Sequence, residues 1–224
     1  MSGPTVVVHR DAGAVAGAAA ERLSARLVDA QKERGTAALA LTGGGVGMGT
    51  LDALRRGTGR LAVDWGRVDV WWSDERYLPA GDPERNETQA RAALLDHVEV
   101  DPARVHPMPA LDGPDGKDVD AAAQRYAEEL AAAAPHGRGV PAFDVLLLGM
   151  GPEGHVASVF PESPAAHDDR YVVGVHGCPK PPPTRITFGF AALTAAREVW
   201  LLVAGAEKAA AVAMALSGAG RVAL

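Results

Sequence analysis

The chain has 224 residues, with 22 Lys and Arg against 28 Asp and Glu and a formal net charge of -6; this length suits one domain, residues 1–224, around a continuous core. The acidic balance leaves no basic stripe to hold a polyanionic backbone, which excludes nucleic acid as a partner. Cys178 stands alone and cannot close an internal disulfide, the first ten residues lack a charged-then-apolar leader, and the apolar runs at 145–148 and 199–204 fall far short of the ~20 residues of a membrane span, so a cytoplasmic protein with no membrane partner is expected.

Short β-branched runs alternate with longer segments rich in alanine and leucine, the pattern of an α/β fold: a Rossmann-like, mainly parallel sheet flanked by helices on both faces. Residues 5–8 are predicted as a first strand. Asp11 caps a helix running to Arg34 and ending at Gly35, with Val15, Ala19, Leu23 and Leu27 on one apolar stripe. A second strand over 36–41 exits into a glycine-rich turn that leads to a helix. A third, over 68–72, runs into Ser73-Asp74-Glu75-Arg76 and then a Pro/Gly/Asp loop over 79–83. Asn86 is read as the cap of a helix to Leu95, and Asp118 as the cap of one reaching Ala134. Strands over 143–148, 171–175 and 199–203 follow, the last two separated by the stiff loop that carries Pro179, Pro181, Pro182 and Pro183. A helix over 206–216 comes last.

In open α/β sheets ligands bind outside the carboxyl ends of the strands, which singles out the charged and glycine-rich exits. At Thr42-Gly43-Gly44-Gly45-Val46-Gly47 bare backbone N–H groups and a helix N-terminus can cradle an anion. The glycines fit no dinucleotide fingerprint, and no Gly-Lys-Ser/Thr follows, so this is not a nucleotide loop. At the 68–72 exit, Asp74, Glu75 and Arg76 sit on the sheet's rim, where Arg76 can grip a phosphate or carboxylate with two donors. After the 143–148 strand, Gly149, Gly151 and Gly154 satisfy G-x-G-x-x-G, but Pro161 cuts off the helix a dinucleotide needs. These glycines instead let the backbone approach a ligand while presenting Glu153 and His155. No Glu-x-x-His or His-x-x-x-His spacing occurs, so neither a metal nor a cofactor is expected.

Taken together and in order, these segments resemble the 6-phosphogluconolactonase family, within the larger group that includes glucosamine-6-phosphate deaminases. The resemblance is carried by Thr42 to Gly45, by Trp72-Ser73-Asp74-Glu75-Arg76-Tyr77-Leu78-Pro79, and by Asn86 ahead of Leu94-Leu95. It continues through Phe143-Asp144-Val145 to Gly154-His155-Val156-Ala157-Ser158-Val159-Phe160-Pro161, through Pro179-Lys180-Pro181-Pro182-Pro183-Thr184-Arg185-Ile186-Thr187, and through Gly205-Ala206-Glu207-Lys208. It implies hydrolysis of 6-phospho-D-glucono-1,5-lactone, without a cofactor, in the oxidative pentose phosphate pathway. Two departures stand out: relatives usually carry Ser or Arg and then Thr-Pro after the paired glycines, and they usually continue past the last helix with an apolar, tryptophan-containing segment.

The chemistry expected is direct attack by water, since no G-x-S-x-G elbow is present and Cys178 lies in a proline-rich loop. Neutral His155 takes the water's proton and returns it to the ring oxygen, Glu153 orients the imidazole, and Asp74 completes the catalytic set. The phosphate falls to Thr42, Gly43, Gly44 and Gly45 with Arg76, Lys180, Arg185 and Lys208, of which the resemblance favours Arg185 and Lys208. The partner is thus a small sugar-phosphate lactone, and a monomer is expected. Two other readings use the same architecture: an amino-sugar-phosphate deaminase/isomerase and a non-catalytic sugar-phosphate binder. The deaminases place Tyr after Asp-Glu and Asn-Glu after the histidine, where this chain has Arg76 and Ala157-Ser158.

Overall fold

The computed structural model describes residues 4–218, so both ends of the expected 1–224 domain lie outside the described residues. Helix α1 (Ala12–Arg34) opens on Asp11, whose carboxylate accepts from the Ala14 N–H at 2.8 Å, and closes on Gly35 in the left-handed region at φ +81°. Both ends follow from the sequence, as an acidic cap meets the orphan N–H groups and a glycine takes a conformation costly for other residues. The helix buries Ala19, Ala20, Leu23 and Leu27 against β1 (Ala37–Leu41) and α2 (Gly45–Arg56).

The central sheet is four-stranded and wholly parallel, in the order β2-β1-β4-β7, with β2 at Val68–Trp72, β4 at Val145–Leu148 and β7 at Glu198–Leu201. All four residues of β4 are buried, as expected of a parallel strand covered on both faces. The chain leaves β1 for β2 on one side, and β4 and β7 lie on the other, so the strand order reverses between β1 and β4. The exits of these two strands are therefore neighbours, and a crevice forms there.

A second, antiparallel sheet in the order β3-β6-β5 was not foreseen from the sequence. It is made of β3 (Asp74–Arg76), β6 (Arg185–Phe188) and β5 (Val172–Val175). Ser73 joins the two sheets: its N–H donates to the Leu41 carbonyl at 2.8 Å, and its own carbonyl accepts from Phe188 N–H at 2.7 Å. Helix α4 (Val119–Ala133), capped by Asp118 as expected, packs on β5 and β6, and the apolar core runs unbroken from Leu39 and Leu146 to Ile186 and Phe188. Helices α3 (Asn86–Ala93), α5 (Phe190–Leu193) and α6 (Ala209–Ser217) complete the described chain.

Two expectations need correction. Residues 5–8 form no strand: Val6, Val7 and Val8 are exposed, and none pairs with a strand among the described residues. A β-branched run has the right local preference, but a strand exists only where a ladder satisfies its backbone. Nor does Asn86 cap α3. The cap is supplied from a distance by Glu75, whose carboxylate accepts from the N–H groups of Arg76, Asn86 and Glu87 at 2.7–2.8 Å, while Asn86 is the first helical residue. The helix also stops at Ala93, before a short turn over Leu95–His97.

Candidate active site

The exits of β1, β2 and β4 open into one cavity of about 310 Å³. On the β1 side, Thr42 is buried and Gly44 takes φ +83°, which a residue with a side chain adopts only under strain. Helix α2 then begins at Gly45 with no side chain on its first N–H groups. Those donors and the positive end of the helix dipole face the cavity, an arrangement suited to an anion.

Asp74 reaches the cavity because Ser73 turns the chain out of the parallel sheet directly before it. Its carboxylate is buried and accepts from the Ser158 hydroxyl at 2.7 Å, and the Asn86 amide donates to its backbone carbonyl at 2.8 Å. Two residues on, Arg76 lies opposite Arg185 across the β3–β6 ladder, and both side chains line the cavity. Like charges facing each other across a ladder repel, and an anion between them would relieve that cost. Arg185 is also tied back to its own loop, donating to the carbonyls of Lys180, Pro181 and Pro182 at 3.0–3.2 Å. Lys208, in the turn before α6, lines the cavity with no carboxylate partner among the described residues.

The β4 exit folds back on itself. The Gly151 N–H donates to the His155 carbonyl and the Gly154 N–H to the Gly151 carbonyl, both at 3.0 Å, with Gly154 at φ +90°. Side chains two residues apart can then meet, and His155 Nδ1 comes 3.2 Å from Glu153 Oε1 without the alignment of a hydrogen bond. The ring stacks on Phe160, with centroids 4.2 Å apart. Gly151 is required for this packing, since a Cβ there would lie 2.1 Å from His155 Nδ1. Burial lowers the His155 pKa, the nearby Lys180 charge lowers it further, and Glu153 and Asp74 only partly oppose them, so the surroundings favour the neutral ring.

Lys180, expected at the phosphate, lines the same cavity and is also paired with a carboxylate. Its ammonium is 2.8 and 3.1 Å from the two Glu153 carboxylate oxygens. Burial alone would raise the Glu153 pKa, but the hydrogen bond from Lys180 leads the opposing contributions and holds the carboxylate below its ordinary range. The predicted residues Thr42, Gly43, Gly44, Gly45, Asp74, Arg76, His155, Lys180, Arg185 and Lys208 all line the one cavity; Glu153 does not, and meets the site only through His155 and Lys180. Asn86, Ser158 and Phe160 belong to the same site although the sequence reading gave them no part in its chemistry. They entered that reading only as part of the segments that carry the family resemblance, and Asn86 also as a helix cap. Among the described residues no three His, Cys, Asp or Glu side chains gather as a metal ion would require.

Comparison with known proteins identifies the family. The chain is 60% identical over 222 residues to a 6-phosphogluconolactonase of Streptomyces coelicolor, covering 98% of this chain and 85% of that one. It is 50% identical over 217 residues to a 6-phosphogluconolactonase of Mycobacterium leprae, covering 96% and 87%. The solved 6-phosphogluconolactonase of Trypanosoma brucei superposes with a TM-score of 0.80 at 29% identity, covering 93% of this chain and 85% of that chain. With the family model matching residues 10–223, the chain belongs to the glucosamine-6-phosphate isomerases/6-phosphogluconolactonase family.

Proposed function

We propose that the chain hydrolyses 6-phospho-D-glucono-1,5-lactone to 6-phospho-D-gluconate, with His155 as the general base. The observation that carries this reading is that a neutral imidazole and an uncapped helix N-terminus open into the same cavity, one able to take a proton and the other to hold a phosphate. The identity to lactonases supports it, and the missing Asn-Glu pair after the histidine argues against the deaminase reading.

The phosphate rests on the N–H groups at Gly44 to Val46, with Lys208, Arg76 and Arg185 supplying charge. Water held at His155 attacks the lactone carbonyl as the imidazole takes its proton, and the carbonyl electrons move onto oxygen. When the intermediate collapses, the bond from the carbonyl carbon to the ring oxygen breaks and His155 returns the proton to that oxygen. The new carboxylic acid ionises, so each turnover releases one proton. Glu153 holds the imidazolium formed in between, and Lys180 keeps Glu153 ionised and His155 neutral, a role that replaces phosphate binding for this lysine.

Purified protein supplied with 6-phosphogluconolactone, and no added metal or nucleotide, is expected to release acid and to form 6-phosphogluconate in a coupled dehydrogenase assay well above the spontaneous rate. A rate equal to the spontaneous one would sink the reading. Proton release also separates an enzyme from a sugar-phosphate binder.

A further inference from the structure

The sequence marks Asn86 as a helix cap, yet the structure gives that task to Glu75 and leaves the Asn86 amide to the cavity wall. The residue is 1% exposed. Its Nδ2 donates to the Asp74 carbonyl at 2.8 Å, with the Asp74 Oδ1 at 3.4 Å, and its backbone N–H is pinned by Glu75 at 2.7 Å. The amide oxygen accepts no hydrogen bond and lies against Gly43, where a Cβ would sit 2.1 Å from it. One rigid, buried side chain therefore touches both walls of the site: the strand that carries Asp74 and the loop that cradles an anion. Leaving a buried acceptor unmatched costs ~1–3 kcal/mol, and a serine or alanine here would avoid that cost.

We propose that Asn86 is a positioning residue, a spacer that fixes the distance between the glycine loop and Asp74, with Gly43 as its obligatory partner. The inference rests on the functional reading above and adds to it a reason why the phosphate end and the reacting end of one substrate fall in register. A ligand that occupies only the loop does not feel the spacing; a ligand that bridges loop and Asp74 does. Misplacing a bound group by ~1 Å can cost ~10²-fold in rate, so loss of the Asn86 side chain should be felt selectively by bridging ligands.

The experiment compares wild type with Asn86→Ala, Gly43→Ala and the double variant. Binding of inorganic phosphate and of 6-phosphogluconate is read by titration calorimetry, and turnover of the phosphorylated and unphosphorylated gluconolactones is read by acid release. Asn86→Ala is expected to bind phosphate within about twofold of wild type, to lose about tenfold or more in 6-phosphogluconate affinity, and to lose most of its preference for the phosphorylated lactone; Gly43→Ala, which alters the phosphate loop itself, is expected to lose at least as much in 6-phosphogluconate affinity. The double variant is expected to be no worse than the poorer single variant, because both break the same contact. The proposal is overturned if in Asn86→Ala the phosphate and 6-phosphogluconate affinities fall together, if neither changes there, or if the two single losses multiply. Should Gly43→Ala fail to fold, Asn86→Ala alone decides through its two affinities. An inactive wild type would overturn the functional reading instead, and the calorimetric arm separates that outcome from failure of the spacer.

Discussion

At the scale of single residues, the site is organised around which groups are charged when no substrate is bound. His155 is useful as a base only while neutral, and the acid limb of its activity lies below the ordinary histidine range because burial and Lys180 both lower its pKa. The sign is fixed: protonation on acidification removes the base, so activity is lost as pH falls. Lys180→Met should move that limb to higher pH by removing a neighbouring positive charge, and Glu153→Gln should move it lower by removing a negative one. The pH profile of kcat/KM, with spontaneous hydrolysis subtracted at each point, checks both, and shifts in the same direction would contradict this electrostatic account. His155, Asp74 and the glycine loop each sit at a strand exit, which is why the sequence could single them out and why the fold brings them to one cavity. It could not show the pairing of Lys180 with Glu153, which lies 27 residues earlier and meets it only through the fold.

At the scale of elements, the polar segment after β2 was legible as a rim of charges but not as a strand. β3 is only the three charged residues Asp74–Arg76, and β6 alternates polar and apolar residues but over only the four positions Arg185–Phe188, too few for the period to stand out. Their pairing has a visible purpose in Glu75, which is buried, caps α3 through two of its N–H groups and lies 3.8 Å from the equally buried Arg85. Burial pushes the Glu75 carboxyl up to about 7 against the pull of Arg85 and the backbone donors. Glu75→Ala removes one of the two carboxylates within 4 Å of Arg85, the other being Glu87, and leaves two helix N–H groups bare, and is expected to cost about 3 kcal/mol in urea unfolding. A loss under ~1 kcal/mol would show that Arg85, already bonded to the carbonyls of Leu78 and Met108, does not depend on Glu75. By contrast, α1, α4, β1, β2 and β4 were readable because their caps and apolar runs are local, whereas the strand expected at 5–8 failed on pairing, which is not.

At the scale of the whole molecule, the two sheets share one core. Phe188 of β6 stacks on Phe143, which leads into β4, with ring centroids 5.7 Å apart, and on Tyr126 of α4 at 6.2 Å. Phe188→Ala should therefore lower the stability of the parallel sheet as well, by about 3–5 kcal/mol. Fluorescence of the buried Trp71 and Trp72 on β2 should report the same unfolding transition as far-UV circular dichroism, and separate transitions would mean that the sheets unfold independently. The shared core is what holds Asp74, on one sheet, against the glycine loop and His155 on the other.

The central claim is that His155 takes the proton of the attacking water inside a cavity that binds the phosphate by other groups. The measurement that tests it most directly is single-substrate turnover of 6-phosphogluconolactone by His155→Ala beside its affinity for 6-phosphogluconate. The account predicts a fall in kcat of ~10² to 10⁴ with affinity for the product nearly unchanged and the fold intact. A folded His155→Ala variant that turns over at close to the wild-type rate would contradict it.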